Sequence, residues 1–275
     1  MKNNKEILVL GKGFIGEMLE KALQCSITDQ YISSLKDAQK IIEDFKPKVL
    51  INCIGSTGEN NVDDCEKDPD ETLMANTFVP IILSEVALRY NIKLVHISSG
   101  CIYHFNYSED EPIVEDKIPD FFELFYSRTK IYSEQILNTL AKKYPILIVK
   151  IRIPLVGFPH PKNILTKLIQ YKSVIDVPNS ITYIPDFVVA LEHLINMEAE
   201  GIYNVVNKGG LQYPELLDIY KKYAPDFNYK IIGLKELGLV RTNLILSTDK
   251  LEKTEFKIRD IHDVLEECIK NYIKY

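Results

Sequence analysis

The amino-acid sequence predicts an α/β protein built on a doubly wound parallel sheet, and three observations carry that prediction. Short, near-continuous apolar runs alternate with longer segments of helical period through the first 153 residues. A glycine-rich turn follows the first run directly and opens a helical segment. Beyond Ile153 the alternation stops, and Pro154, Gly157, Pro159, Pro161, Pro178 and Pro185 break the chain into shorter pieces.

Taken in order, Glu6–Leu10 (EILVL), Lys48–Ile54 (KVLINCI), Lys93–Ser98 (KLVHIS) and Ile146–Ile153 (ILIVKIRI) read as strands buried on both faces, where apolar residues do not alternate with polar ones. Helices are expected between them at 15–23, 35–45, 73–90 and 127–143. Strict alternation means βαβ units with right-handed crossovers. The run GIYNVV at 201–206 looks isolated from this winding. The expected organisation is a dinucleotide-binding Rossmann domain at 1–153 and 182–206, with a smaller substrate-binding region at 154–181 and 207–275 over the carboxyl ends of the strands.

Composition narrows the class. The 275 residues are 46% apolar and 26% charged, as in an ordinary globular protein. A formal charge of −6 does not favour nucleic acid as a partner. Cys25, Cys53, Cys65, Cys101 and Cys268 form no CxxC pair, and the five histidines show no ligand spacing, so neither a disulfide framework nor a metal site is expected. No apolar run reads as the roughly 18 residues of a membrane span, and the expected location is the cytoplasm.

The turn is Gly11-Lys12-Gly13-Phe14-Ile15-Gly16, a GxGxxG pattern. Its first glycine permits the tight turn, its second admits a pyrophosphate to the backbone, and its third lets helix pack on strand with the anion at the helix N-terminus. The acid that would hold an NAD ribose is not evident near Tyr31–Ser34, where the second strand is expected to end. NADPH is therefore expected ahead of NADH, with Lys12 as a 2′-phosphate partner. Further along, Tyr126-Ser127-Arg128-Thr129-Lys130 puts a phenol and an ammonium on one helix face. With sixteen tyrosines and 33 basic residues, YxxxK alone means little. Ser99, at a strand's carboxyl end 27 residues earlier, adds a second hydroxyl. A nearby ammonium lowers a phenol's pKa from about 10, which suits proton donation to a carbonyl under reduction.

The order of GxGxxG, Ser99 and Tyr126/Lys130 resembles the extended short-chain dehydrogenase/reductases. The phrases STGENNVDDCE (56–66), SSGCIYHF (98–105), FYSRTK (125–130), KIRIPL (150–155), NILTK (163–167), VPNSITYI (177–184) and GIYNVVN (201–207) look like the bifunctional nucleotide-rhamnose synthase/epimerase-reductases, and more distantly like dTDP-4-dehydrorhamnose reductase. That resemblance implies that Ser99, Tyr126 and Lys130 serve reduction of a nucleotide-linked 4-keto-6-deoxy sugar by NADPH. It implies that Cys101 and Lys167 serve epimerisation at carbons 3 and 5. Asn163, Pro178-Asn179-Ser180 and Arg241 fall where the related enzymes hold the UDP- or dTDP-linked substrate, and a homodimer is open. On their own Cys101 is an ordinary buried thiol, Lys167 a solvated lysine, and the others loop caps or surface charges. Two departures stand out: the glycine loop is one residue shorter than GxxGxxG, and Asp64 replaces a tryptophan common in the plant enzymes. The rival readings are a 4-ketoreductase without epimerase activity, for which Cys101 and Lys167 are dispensable, and a catalytically silent NADP-binding regulatory subunit, which has no physical need for the intact Ser99, Tyr126 and Lys130.

Overall fold

The computed structural model describes residue 4 and residues 6–275, which form two compact units. Unit 1 comprises the described residues up to Ile102, with Pro119–Lys150 and Leu191–Tyr203; unit 2 comprises Tyr103–Ile118, Ile151–Ala190 and Asn204–Tyr275. Residues 103–118, 151–153, 182–190 and 204–206, assigned to the first region from sequence, fall in unit 2.

Unit 1 is wound as its apolar pattern dictates. The chain runs β1 (Ile7–Leu10), α1 (Phe14–Leu23), β2 (Ser26–Thr28), α2 (Leu35–Phe45) and β3 (Val49–Asn52), then α3 (Pro69–Leu73), a π-helical turn (Met74–Phe78) and α4 (Val79–Tyr90). β4 (Lys93–Ser99), α5 (Phe125–Leu140) and β5 (Ile146–Ile151) follow. The sheet order is β2-β1-β3-β4-β5-β9, with β1 parallel to both β2 and β3, and β3 parallel to β4. Its sixth strand, β9, is Gly201–Asn204, so the segment read as isolated from sequence closes the sheet edge. Every residue of β1 is buried, as a strand covered on both faces requires. Leu8, Leu50, Leu94 and Ile148 from the strands meet Ile41, Leu83, Val86 and Leu137 from the helices in one core.

Two local features depart from the sequence expectation. The helical run begins at Pro69 rather than 73, capped by the Asp68 side chain, and is interrupted by the π-turn. Pro69–Tyr90 is also long and apolar enough to cross a membrane by length and composition, which the charges of Asp70, Glu71, Glu85 and Arg89 obscured in the sequence. Half of its most apolar window is buried, and Val79, Leu83, Val86 and Ala87 belong to the core.

Unit 2 holds β6 (Pro154–Leu155), α6 (Ile164–Leu168), β7 (Ser173–Ile175), β8 (Thr182–Tyr183) and the start of α7 (Ile184–Asn196). After β9 come α8 (Tyr213–Lys221), β10 (Lys230–Ile232), α9 (Leu234–Leu237), α10 (Asp249–Glu252) and α11 (Ile261–Tyr272). β6 pairs with β8 and β7 with β10, each in parallel. Leu155, Leu165, Leu168, Leu216, Leu217 and the apolar face of α11 form a second core.

Asn163 staples this unit. Its Oδ1 accepts the N–H groups of Leu165 and Val156 at 3.2 and 3.3 Å, capping α6, while its Nδ2 donates to the carbonyls of Val156 and Phe158 at 2.9 and 2.8 Å. Asn163→Ala removes a helix cap and strands buried backbone groups, and is expected to cost about 2–4 kcal/mol in urea denaturation. A loss below roughly 1 kcal/mol would contradict this structural role.

Candidate active site

The glycine turn at the end of β1 has the geometry of an anion cradle. Gly11 sits at φ +97°, a region that favours glycine, and its N–H donates to Thr28 O at 2.9 Å. A Cβ on Gly16 would lie 1.9 Å from the Gly11 carbonyl oxygen, so the third glycine is demanded by helix packing against the turn. Gly13 is different: a Cβ there would meet nothing within 4 Å. It is the N-cap of α1 and supplies no side chain to the first N–H groups, which leaves them for a ligand. Lys12 is exposed, while Phe14 and Ile15 begin the helix half-buried.

Gly11 and Gly13 line a cavity of about 260 Å³ together with Asp29, Cys53, Gly55 and Val79. Asp29 corrects the expectation that no acid follows the second strand. β2 is a three-residue edge strand with only Thr28 buried, so it leaves no apolar run in the sequence, and its end lies before the Tyr31–Ser34 segment where an acid was sought. Asp29 is the next residue, with the Lys12 ammonium 3.8 Å from its carboxylate. The open helix N-terminus, the vacant volume over Gly13 and an acid at the strand end together fit a dinucleotide.

The side chains expected to serve reduction come from β4 and α5. Ser99, 6% exposed, ends β4, and its Oγ accepts the Cys101 N–H at 3.1 Å. Ser127 Oγ donates to the Cys101 carbonyl at 2.7 Å, tying the turn that carries Cys101 to the first turn of α5. Tyr126 and Lys130 lie on the buried face of that helix. A Cβ on Gly55 would stand 3.1 Å from both Lys130 Nζ and Asn76 Oδ1, so the ammonium and the amide each approach a backbone free of side chain. Burial pushes the Lys130 ammonium down to about 8, against a smaller opposite influence from Cys53 and Cys65. Its charge in turn helps keep the fully buried His96 neutral, after burial itself; His96 Nδ1 pairs with Asn52 Nδ2 at 3.1 Å.

Asn76 was missed in the sequence, where 73–90 reads as uniform helix. It stands in the π-turn, accepts the Ser56 N–H at 2.9 Å and donates to Ser56 O and Thr129 Oγ1 at 2.9 and 3.2 Å. π-turns recur at functional sites, but nothing in the residue pattern marks this one.

The remaining candidates belong to unit 2. Lys167, in the last turn of α6, is half-buried; desolvation lowers its pKa, and the charges of Lys162 and Arg241 lower it further. Two cations near enough to act on Lys167 make a positive cluster of the kind that suits a diphosphate. Asn163 and Asn179, expected as substrate contacts, are fully buried instead. The four hydrogen bonds of Asn163 use up its amide, which makes it a cap. Asn179 Oδ1 accepts from Arg152 at 2.7 Å and from the Leu244 N–H at 3.2 Å, and its Nδ2 donates to Asn243 at 3.1 Å. Ser180 Oγ accepts the Leu246 N–H at 2.8 Å, and the Pro178 carbonyl accepts the Tyr107 hydroxyl. These groups serve the fold of unit 2, and sequence phrases alone do not separate such a role from ligand binding. Among the described residues no group of histidine, cysteine or acidic side chains has the arrangement of a metal site.

Comparison with known proteins agrees with this architecture. Residues 6–180 match the RmlD substrate binding domain family. A bifunctional dTDP-4-dehydrorhamnose 3,5-epimerase/dTDP-4-dehydrorhamnose reductase from Arabidopsis thaliana is 33% identical over 267 residues, covering 90% of this chain and 87% of the relative. Among solved structures, the L780 UDP-rhamnose synthase of Acanthamoeba polyphaga mimivirus superposes with a TM-score of 0.89 at 22% identity, covering 96% of this chain and 99% of its own. The dTDP-4-dehydrorhamnose reductase of Bacillus anthracis in complex with NADP gives 0.81 at 20% identity, with 98% of each chain covered. By a family match over residues 6–180 and a relative 33% identical over most of both chains, this protein belongs to the RmlD substrate-binding family of the extended short-chain dehydrogenase/reductases.

Proposed function

We propose that this protein reduces the 4-keto group of a nucleotide-linked 4-keto-6-deoxy sugar with NADPH, after inverting carbons 3 and 5 of the same sugar, to form UDP-L-rhamnose or a related nucleotide deoxysugar. The observation that carries the reductase reading is Lys130, desolvated on one helix face with Tyr126 and set against the backbone of Gly55. The double activity in the name of the Arabidopsis relative, and the NADP held by the Bacillus reductase, support the finer parts. All five cysteines are free, in keeping with a cytoplasmic enzyme, and a homodimer is its proposed assembly.

In this reading residues 11–16 hold the pyrophosphate of the cofactor, Asp29 and Lys12 stand at its adenosine ribose, and Tyr126 and Lys130 at its nicotinamide end. The bound cofactor supplies a hydride to carbon 4. Tyr126 delivers a proton to the oxygen on that carbon, so that the ketone gains one hydride and one proton and becomes an alcohol. The ammonium of Lys130 favours the phenolate left behind, and Ser99 donates a hydrogen bond to the same oxygen as its charge grows. Epimerisation needs no redox change: a base removes the proton beside the ketone, the carbonyl delocalises the carbanion, and an acid returns a proton from the other face. A thiol and an ammonium of lowered pKa, Cys101 and Lys167, are chemically suited to the two parts. Arg241, with Lys162, meets the diphosphate.

Three outcomes test this reading. Tyr126→Phe should lower kcat by roughly two to four orders of magnitude without unfolding the protein, and wild-type turnover should fall above about pH 8 as Lys130 loses its proton; near-normal turnover of the variant would remove Tyr126 from the mechanism.

For the cofactor, NADPH should be preferred to NADH by about tenfold, or about 1.4 kcal/mol. Lys12→Ala should erase that preference and Asp29→Asn should widen it, because a carboxylate accepts the 2′-hydroxyl of NADH but repels a 2′-phosphate. Steady-state kcat/KM for both cofactors decides; a wild-type preference for NADH overturns the assignment.

Solvent deuterium should enter carbons 3 and 5 of the 4-keto sugar without any cofactor, and Cys101→Ser or Lys167→Met should suppress that exchange. A wild type that shows no exchange by NMR yet reduces the already epimerised sugar is a reductase alone.

A further inference from the structure

Unit 1 buries an ion pair that the reduction chemistry leaves unused. Lys150 Nζ lies 2.8 Å from Glu134 Oε1, with side-chain exposures of 0% and 3%. The other carboxylate oxygen, Oε2, accepts a hydrogen bond from Ser98 Oγ at 3.3 Å. The three residues stand on β5, α5 and β4. Burial raises the Glu134 pKa, while Lys150 and the Ser98 hydroxyl draw it back.

Stability is a poor account of such a pair. Removing two charges from water costs several kcal/mol per ion, and apolar residues of the same volume are often as stabilising or more so. An ion pair provides what apolar packing does not, a single tightly specified geometry. The buried apolar neighbours on α5, Ile131 and Leu137, fill space but tolerate small sliding or rotation of the helix against the sheet.

The placement says what that geometry serves. Glu134 follows Lys130 by four residues and Tyr126 by eight, so all three share one helix face. Ser98 immediately precedes Ser99. One carboxylate therefore links the helix that carries the proton donor to the strand that carries the second hydroxyl. Other bonds hold α5 to the π-turn, from Thr77 Oγ1 to Thr129 O at 2.8 Å and from Asn76 to Thr129, and to the turn after β4 through Ser127. Glu134 reaches β4 and β5 themselves. Two oxygens that must meet one carbonyl leave little room for error, since a misplacement of about 1 Å costs roughly 100-fold in rate.

On the reductase reading above, we infer that Glu134, held by Lys150, is a positioning residue for the reduction: it sets the register of α5 against the end of β4 so that Tyr126 and Ser99 converge on the same carbonyl oxygen.

The test compares wild type with Glu134→Leu/Lys150→Met, which replaces the pair by apolar side chains, and with Ser98→Ala, which cuts only the link to β4. Thermal unfolding, NADPH affinity from nicotinamide fluorescence, and kcat and KM for the 4-keto sugar are measured on each. The double variant should keep wild-type stability, and its NADPH affinity and sugar KM should stay within about threefold, while kcat falls roughly 10- to 100-fold. Ser98→Ala should lose roughly 3- to 10-fold in kcat at unchanged stability. A double variant with wild-type kcat overturns the inference, and so does a loss of turnover that only follows loss of folded protein or of NADPH binding. Should the double variant not fold, wild-type kcat in Ser98→Ala overturns it alone. A wild type that binds NADPH but reduces neither UDP- nor dTDP-4-keto sugars overturns the reductase reading and this inference with it, whereas an active wild type with indifferent variants overturns the inference only.

Discussion

The interior position of the Lys130 ammonium is the constraint on which the rest of unit 1 depends. A lysine 4% exposed needs room kept for its ammonium, and the chain keeps it at Gly55, where a Cβ would stand 3.1 Å from Lys130 Nζ. The same helix buries Tyr126, Ser127, Thr129, Ser133 and Glu134, so an ordinarily apolar face is polar here and every group on it needs a partner. Ser127 uses the Cys101 carbonyl, Thr129 the Tyr126 carbonyl and the Asn76 amide, and Ser133 the Thr129 and Lys130 carbonyls. Such a network specifies α5 far more narrowly than apolar packing does.

The cofactor end of the unit is governed by different physics. Gly11 and Gly16 are forced by the protein's own packing, whereas a Cβ on Gly13 would meet no protein atom within 4 Å. In the proposed function, Asp29 and Lys12 then set opposing electrostatic preferences at one spot: a carboxylate suited to a free ribose hydroxyl and an ammonium suited to a phosphate. Both are substantially exposed, with side-chain accessibilities of 68% and 47%, so water and salt moderate each preference.

Unit 2 uses polar residues mainly to hold itself together. Arg152 is almost fully buried and donates to Asn179 and to Thr242, and Asn179 passes the connection to Leu244 and Asn243. With few long elements and two two-stranded ribbons, this unit draws order from side-chain amides that cap and cross-link loops. In the proposed function, Lys162, Lys167 and Arg241 are the charges of this unit assigned to the substrate.

What the sequence by itself determined is whatever repeats locally. Apolar runs fixed by burial on both faces reveal β1, β3, β4 and β5, and the GxGxxG turn is legible from its own spacing directly after β1, with Gly16 answering to the Gly11 carbonyl inside the turn. Tyr126 and Lys130 share a face by helical spacing alone. The tertiary structure decided what depends on distant partners. β2 is an edge strand of three residues with one buried side chain, so Asp29 gains its place at a strand end only through pairing with β1. GIYN becomes the sixth strand by joining a sheet begun nearly 200 residues earlier, and the π-turn that presents Asn76 has no local signature. Asn163 and Asn179 look in the sequence like any polar loop residue; the carbonyls, N–H groups and guanidinium that occupy them are assembled only by the fold, because hydrogen-bond satisfaction belongs to three-dimensional neighbours rather than to residue type.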